Sequence, residues 1–234
     1  MYYYYDYSWI VLIPAMIFTF ICQARINNAY RTYSQIPCST GVTGAQAARA
    51  MMDANGLSGV AINIINGGNS LTNYSDPNTK SLNLSREVYS SNSVASVCIA
   101  CHEVGHAIQD AQHYPLLAFR NGIVPVLNFT QMISWPLIFF GLIASTASPY
   151  GTFLFSIGVM CFLLVVLFHT VTLPVEFDAS NRALENLRTL KLVNEDDYIG
   201  SRTVLRAAAM TYVAALATAV ASLLRIFMIA GRRS

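Results

Sequence analysis

The chain has 234 residues, 54% hydrophobic and 11% charged, against about 25% charged in a soluble domain. That composition excludes an ordinary soluble globule and calls for a bilayer-spanning part beside a polar one. The 14 basic and 12 acidic residues leave a formal net charge of +2, too small and too scattered for a polyanion-binding protein, so nucleic acid is not an expected partner.

The first element is a charge-free stretch of 18 residues from Tyr7 to Ala24, close to the ~20 that one crossing needs. Asp6 stands where a secretory signal would be basic, and no small-x-small cleavage site precedes Gln23 and Arg25. The segment 1–24 is therefore expected to stay as an anchor, with Tyr2 to Tyr5 and Tyr7 at the interface. A polar segment, 25–120, follows and can hold a small domain. Within it, Thr43 to Asn55 and Gly56 reads as a helix capped by Thr43 and stopped by Asn-Gly. Val60 to Ile65 reads as a strand. Residues 71–74 and 81–84 flank the turn Ser75-Asp76-Pro77-Asn78 as a hairpin, which either offers an edge strand to an extended peptide or completes a small sheet. From Ser93 to His113 the pattern is helical and ends before Pro115.

No formal charge occurs over the 55 residues 121–175, enough for two crossings and a turn at Ser148-Pro149-Tyr150-Gly151. This predicts a transmembrane hairpin over 121–174, with spans at 122–146 and 151–174. Pro174 reads as the start of a new helix over 175–203. The charge-free stretch Ala207 to Leu224 supplies a fourth span within 204–234. Arg25, Arg31 and Arg120 flank the first polar segment, and Arg182, Arg188, Lys191, Arg202 and Arg206 mark the second. Positive-inside bias then puts both segments in the cytoplasm, although Arg232 and Arg233 run against it. The expected fold is a mainly α membrane protein with four transmembrane helices and a small α+β domain. Five cysteines, two of them (Cys22 and Cys161) in spans, give no secreted disulfide framework.

The chemistry lies on the 93–113 helix at His102-Glu103-Val104-Gly105-His106. Histidines four apart share one helical face and can bind one metal, and Glu103 beside them can act as general base toward water. By composition this spacing arises by chance in roughly one of several hundred such chains. The same stretch carries Cys98-Ile-Ala-Cys101-His102, the signature of c-type haem attachment, at about the same chance frequency. Haem is normally attached on the outer face, whereas the charge bias places this segment inside. A second CxxC that would complete a four-thiolate zinc site is absent from the sequence.

A catalytic zinc needs a third protein ligand and an open position. Asp110, His113 and Glu176 have suitable chemistry. The helix would carry Asp110 and His113 away from a metal held by His102 and His106, and Gln109 and Gln112 occupy the positions where a metzincin would need Gly and His. Glu176 follows a hairpin that leaves and re-enters on the same side, so it returns to the membrane boundary on the face of His102. A carboxylate near hydrocarbon costs a few kcal/mol unless paired, and a divalent cation would offset that. On its helix Glu176 shares a face with Ser180 and Ala183. His169, about 10 Å up the helix, is expected to make a neutral interhelical hydrogen bond instead.

The segments Cys101-His-Glu-Val-Gly-His-Ala-Ile-Gln, Asp53-Ala-Asn-Gly-Leu, Leu71-Thr with Asp76-Pro-x-Thr-Lys80, and Leu173-Pro-Val-Glu-Phe-Asp-Ala-Ser180 together resemble the YugP-type neutral zinc metallopeptidases of bacterial membranes. The resemblance covers nearly the whole chain. It extends distantly to the HtpX and CAAX-prenyl-protease gluzincins, in which a transmembrane hairpin also separates the HExxH helix from a glutamate ligand. It implies a zincin-like domain holding one Zn²⁺ per chain by His102, His106 and Glu176, with Glu103 as the catalytic base. It further implies a peptide or membrane-protein substrate, the lipid bilayer as surroundings, and a place in the bacterial inner membrane, where the charge bias turns the active site toward the cytoplasm. Where the distant relatives carry an Asp that supports a zinc-bound histidine, this chain has Ser180, a weaker hydrogen-bonding group. The competing expectation is a non-enzymatic membrane protein with a haem, redox or structural-metal centre built on Cys98, Cys101 and His102.

Overall fold

The structure is a computed structural model that describes residues 7–65, 72–145 and 148–231. Tyr2 to Tyr5, Leu71, Arg232 and Arg233 lie outside the described residues. Among the described residues, seven α-helices and three strands follow a short 3₁₀ turn at Tyr7–Val11: α1 Leu12–Tyr33, α2 Gly44–Ala54, β1 Ala61–Ile65, β2 Tyr74–Asp76, β3 Ser81–Ser85, α3 Arg86–Ser90, α4 Val94–Ala111, α5 Pro115–Ala144, α6 Pro149–Thr189 and α7 Glu195–Gly231. The chain divides into two compact units. One comprises Met1–Cys22, Phe119–Leu173 and Thr211–Ser234; the other comprises Gln23–Ala118 and Pro174–Met210.

The first unit holds the apolar stretches. Among the described residues, four helices are long and apolar enough to cross a membrane: Tyr7–Tyr33, Pro115–Ala144, Pro149–Thr189 and Glu195–Gly231. Their outward residues are themselves large and apolar, with Phe20, Phe129, Phe140 and Phe153 all exposed. In water such a surface would aggregate; against lipid chains it is matched. The small seam inside this unit is formed by Ile138, Val159, Phe162 and Ile226, with Trp135 edge-on to Phe162 at 5.7 Å.

The second unit carries the mixed α and β elements. The predicted caps are present: Thr43 and Gln46 form a capping box on α2, and Ser93 accepts from the Ser96 amide to start α4. Gly56, just past α2, has φ +75°, a conformation that favours glycine and ends the helix. The predicted hairpin forms by antiparallel pairing of β2 with β3, and β1 adds to β3 in parallel, giving the order β1-β3-β2. One core unites these elements. Met51 and Met52 of α2, Leu82 and Leu84 of β3, and Val97, Cys101 and Val104 of α4 pack with Ala183 and Leu187 of α6.

Several features differ from the sequence expectation. Strand β2 takes in Ser75 and Asp76, expected in the turn, and the segment 175–203, expected as one helix, is divided between the end of α6 at Thr189 and the start of α7 at Glu195. Residues 86–90 form an additional short helix, capped by Ser85. More consequentially, no helix begins at Pro174: α6 runs unbroken from Pro149 to Thr189 with Pro174 inside it. The ring removes one backbone hydrogen bond, whereas a break near hydrocarbon would leave several polar groups unpaired. Glu176 is therefore carried on the same helix as the third apolar stretch.

Candidate metal centre

The two predicted histidines lie on one face of α4, one turn apart, with ring centroids 4.9 Å from each other. Glu176 reaches them from α6. Its Oε2 lies 3.3 Å from His102 Nε2 and 3.6 Å from His106 Nε2. Two donors each about 2.0 Å from a tetrahedral ion lie about 3.3 Å apart, so these separations and this donor set fit a zinc-sized ion. Among the described residues, this is the group of three whose ligand atoms lie within 4.8 Å of one another. The side chain of Glu176 is only 4% exposed, and those of His102 and His106 are 16% and 13% exposed. The carboxylate thus forms the floor, and the imidazoles border an opening to solvent.

The approach of α4 to α6 depends on small residues. A Cβ placed on Gly105, between the histidines, would lie 2.5 Å from the Ala179 carbonyl oxygen. Any side chain at 105 would force the two helices apart. Gly105, which sequence alone leaves open as a tolerated small residue, is required by this contact.

Hydrogen bonds orient both rings. His106 Nδ1 lies 2.9 Å from Gln109 Oε1, while Gln109 Nε2 donates to the Val175 carbonyl at 2.9 Å and to Asp178 Oδ2 at 2.8 Å. With the amide nitrogen committed to two acceptors, its oxygen faces the imidazole. Nδ1 therefore carries a proton, and Nε2 is the nitrogen that faces Glu176: in metal-free protein it is protonated as well and donates to the carboxylate, and on losing that proton it offers its lone pair to a metal. Asp178 is held in turn by Arg182, which also donates to Gln112 Oε1. His102 Nδ1 contacts Ser180 Oγ at 3.1 Å, so the serine does the orienting expected of that position. Gln109 was the missed residue. It is fully buried, and a fully buried amide needs polar partners, but its partners are 66 and 69 residues away.

Burial lowers the affinity of His106 for a proton. The hydrogen bond to Glu176 and the charges of Glu103 and Glu176 more than reverse this, and its pKa is raised from the ordinary value. Burial raises that of Glu176, but hydrogen bonds to both histidines hold its carboxyl well below the usual carboxylate range. Each group favours its charged form, as a site built to neutralise buried charge would require.

The other candidates fall elsewhere. Asp110 pairs with Lys80, which ties the β2–β3 turn to α4. His113 lies in the turn after α4 with φ +52°, and neither residue belongs to the metal-ligating group. The ring of His169 packs on the adjacent Phe168, and it makes no interhelical hydrogen bond among the described residues. Cys98 and Cys101 are fully buried. Desolvation pushes both thiols up, Cys101 to about 12, and thiols held protonated in this way are poor nucleophiles and metal ligands.

Four bilayer-length helices and a centre of two imidazoles and a carboxylate define a membrane protein of metallopeptidase type. The chain belongs to the family described as "Putative neutral zinc metallopeptidase", which it matches over residues 8–231. It is 37% identical over 218 residues to the "Putative membrane protease YugP" of Bacillus subtilis (strain 168), covering 93% of each chain. No solved structure matches it.

Proposed function

We propose that this protein is a membrane-embedded zinc endopeptidase that hydrolyses peptide bonds at the cytoplasmic surface of the bacterial inner membrane. The observation that carries the reading is the convergence of His102 Nε2, His106 Nε2 and Glu176 Oε2 within hydrogen-bond-like distances. These three residues would hold one zinc ion. When bound, zinc supplies Lewis acidity toward water and toward the scissile carbonyl oxygen.

The chain's own residues supply the rest. Glu103, next to His102 on α4 and only partly buried, takes a proton from the attacking water and returns it to the leaving amine. Gln109 and Ser180 hold the imidazoles with Nδ1 protonated, leaving Nε2 for the metal. Strand β2 is an edge of the sheet and packs against α4, which suits it to align an extended peptide by backbone pairing. The zincin-like unit faces the cytoplasm on the distribution of basic residues around the apolar stretches.

The test is metal analysis paired with peptide hydrolysis by the purified chain. Wild type should contain about one zinc per chain. Glu103→Gln should keep the zinc while hydrolysis falls by about 10²–10⁴-fold. Undiminished hydrolysis by this variant would remove Glu103 from the chemistry.

A further inference from the structure

Far apart in sequence, Arg25 and Arg206 line one cleft of about 480 Å³ between α1 and α7. Arg25, Asn28 and Thr32 are spaced i, i+3, i+7 on α1; Thr203, Arg206 and Met210 have the same spacing on α7. Each helix therefore gives one face to the cleft. Among the described residues, no carboxylate lines it. Arg49, Arg182 and Arg188 each pair with an acid, but neither cleft arginine has an ion-pair partner among the described residues. Two uncompensated guanidiniums flanked by an amide and two hydroxyls suit an oxyanion, and guanidinium is shaped to bind phosphate through paired hydrogen bonds.

The position of the arginines selects the kind of phosphate. Arg25 directly follows the charge-free stretch ending at Ala24, and Arg206 directly precedes the one starting at Ala207. Both mark the level at which apolar helix gives way to polar helix. Met210, one turn into the apolar part of α7, adds a greasy wall to the cleft. A free anion has no use for that wall, whereas a glycerophospholipid places its phosphate and its first acyl carbons across such a boundary.

We propose that this cleft is a binding site for the phosphate headgroup of an anionic phospholipid. The site rests on the four apolar helices being bilayer spans and is independent of the hydrolytic reading. In the test, full-length protein in detergent is titrated with short-chain phosphatidylglycerol, phosphatidylcholine or inorganic phosphate, and helical circular dichroism with a single gel-filtration peak reports that each preparation is folded. Phosphatidylglycerol should bind in preference to phosphatidylcholine. Arg25→Gln and Arg206→Gln should each weaken it about fivefold, and the double variant about 30-fold. Asn28→Glu, at an exposed position, keeps both arginines but adds a carboxylate to the cleft lining one turn from Arg25, and should weaken binding as much as one arginine loss. It decides the matter if the double variant does not fold. Equal binding of the two lipids, or binding unaffected by these substitutions, would overturn the proposal. So would inorganic phosphate that competes as well as the lipid, since the ligand would then be the free anion.

Discussion

Substituting Gly105 by Ala tests whether the close approach of α4 to α6 sets the geometry of the metal centre. The new Cβ would sit 2.5 Å from the Ala179 carbonyl oxygen, where real Cβ contacts are essentially never under 3.0 Å, so one helix must retreat by about 0.5 Å. Glu176 lies one turn before Ala179 on α6 and moves with it. Zinc–ligand distances tolerate only about 0.2 Å, so the ligand set is expected to lose affinity by about tenfold or more, as when an orienting partner is removed. Helix propensity works in the opposite direction, because Ala in place of a mid-helix Gly is worth about 1 kcal/mol, whereas overpacking costs about 1–3 kcal/mol. Gly122→Ala is the control, since a Cβ there meets nothing within 4 Å. Zinc affinity measured by chelator competition should fall for Gly105→Ala and stay unchanged for Gly122→Ala. Equal affinity in both would refute the idea that this contact positions Glu176.

Gln109→Leu removes the acceptor for His106 Nδ1 and takes the Gln109 amide donor from the Val175 carbonyl and from Asp178, which keeps Arg182; zinc affinity is expected to fall about 10–100-fold, read by the same competition. For metal-free protein the sign of the pH dependence follows from two shifts. The raised pKa of His106 gives stability that is full below the ordinary 6.5 and is lost as pH rises through the raised value; the depressed pKa of Glu176 gives stability present above 4.5 and lost as pH falls. Melting temperature without metal should therefore peak between pH 4.5 and 6.5, and a steady rise to alkaline pH would contradict the pairing. Replacing Cys98 and Cys101 together by Ala should leave zinc content and hydrolysis in place, whereas loss of a Soret absorbance in the variant would restore the haem alternative.

The local parts of the site were legible in the sequence. His102, Glu103 and His106 are marked by their spacing along one helix together with the family resemblance, and Thr43, Ser93 and Gly56 set helix ends through groups within a few residues of them. Glu176 was reached from topology, because an even number of crossings returns the chain to the side it left. What sequence could not reveal depends on meetings between distant segments. The parallel pairing of β1 with β3 has no turn to announce it. Gln109 reads as an ordinary helix residue until Val175 and Asp178 arrive beside it, and Pro174 looks like a helix start until the cost of breaking α6 near hydrocarbon is weighed. The cleft with Arg25 and Arg206 likewise joins the two ends of the chain.

The order of the donors along the polypeptide has a consequence for biogenesis. A ribosome delivers both imidazoles before either arm of the hairpin exists, and the acid emerges only after 55 uncharged residues have been handed to the insertion machinery. On the proposed function, a nascent chain lacks its full set of metal ligands until the hairpin has been made, and peptide hydrolysis could not begin before that step.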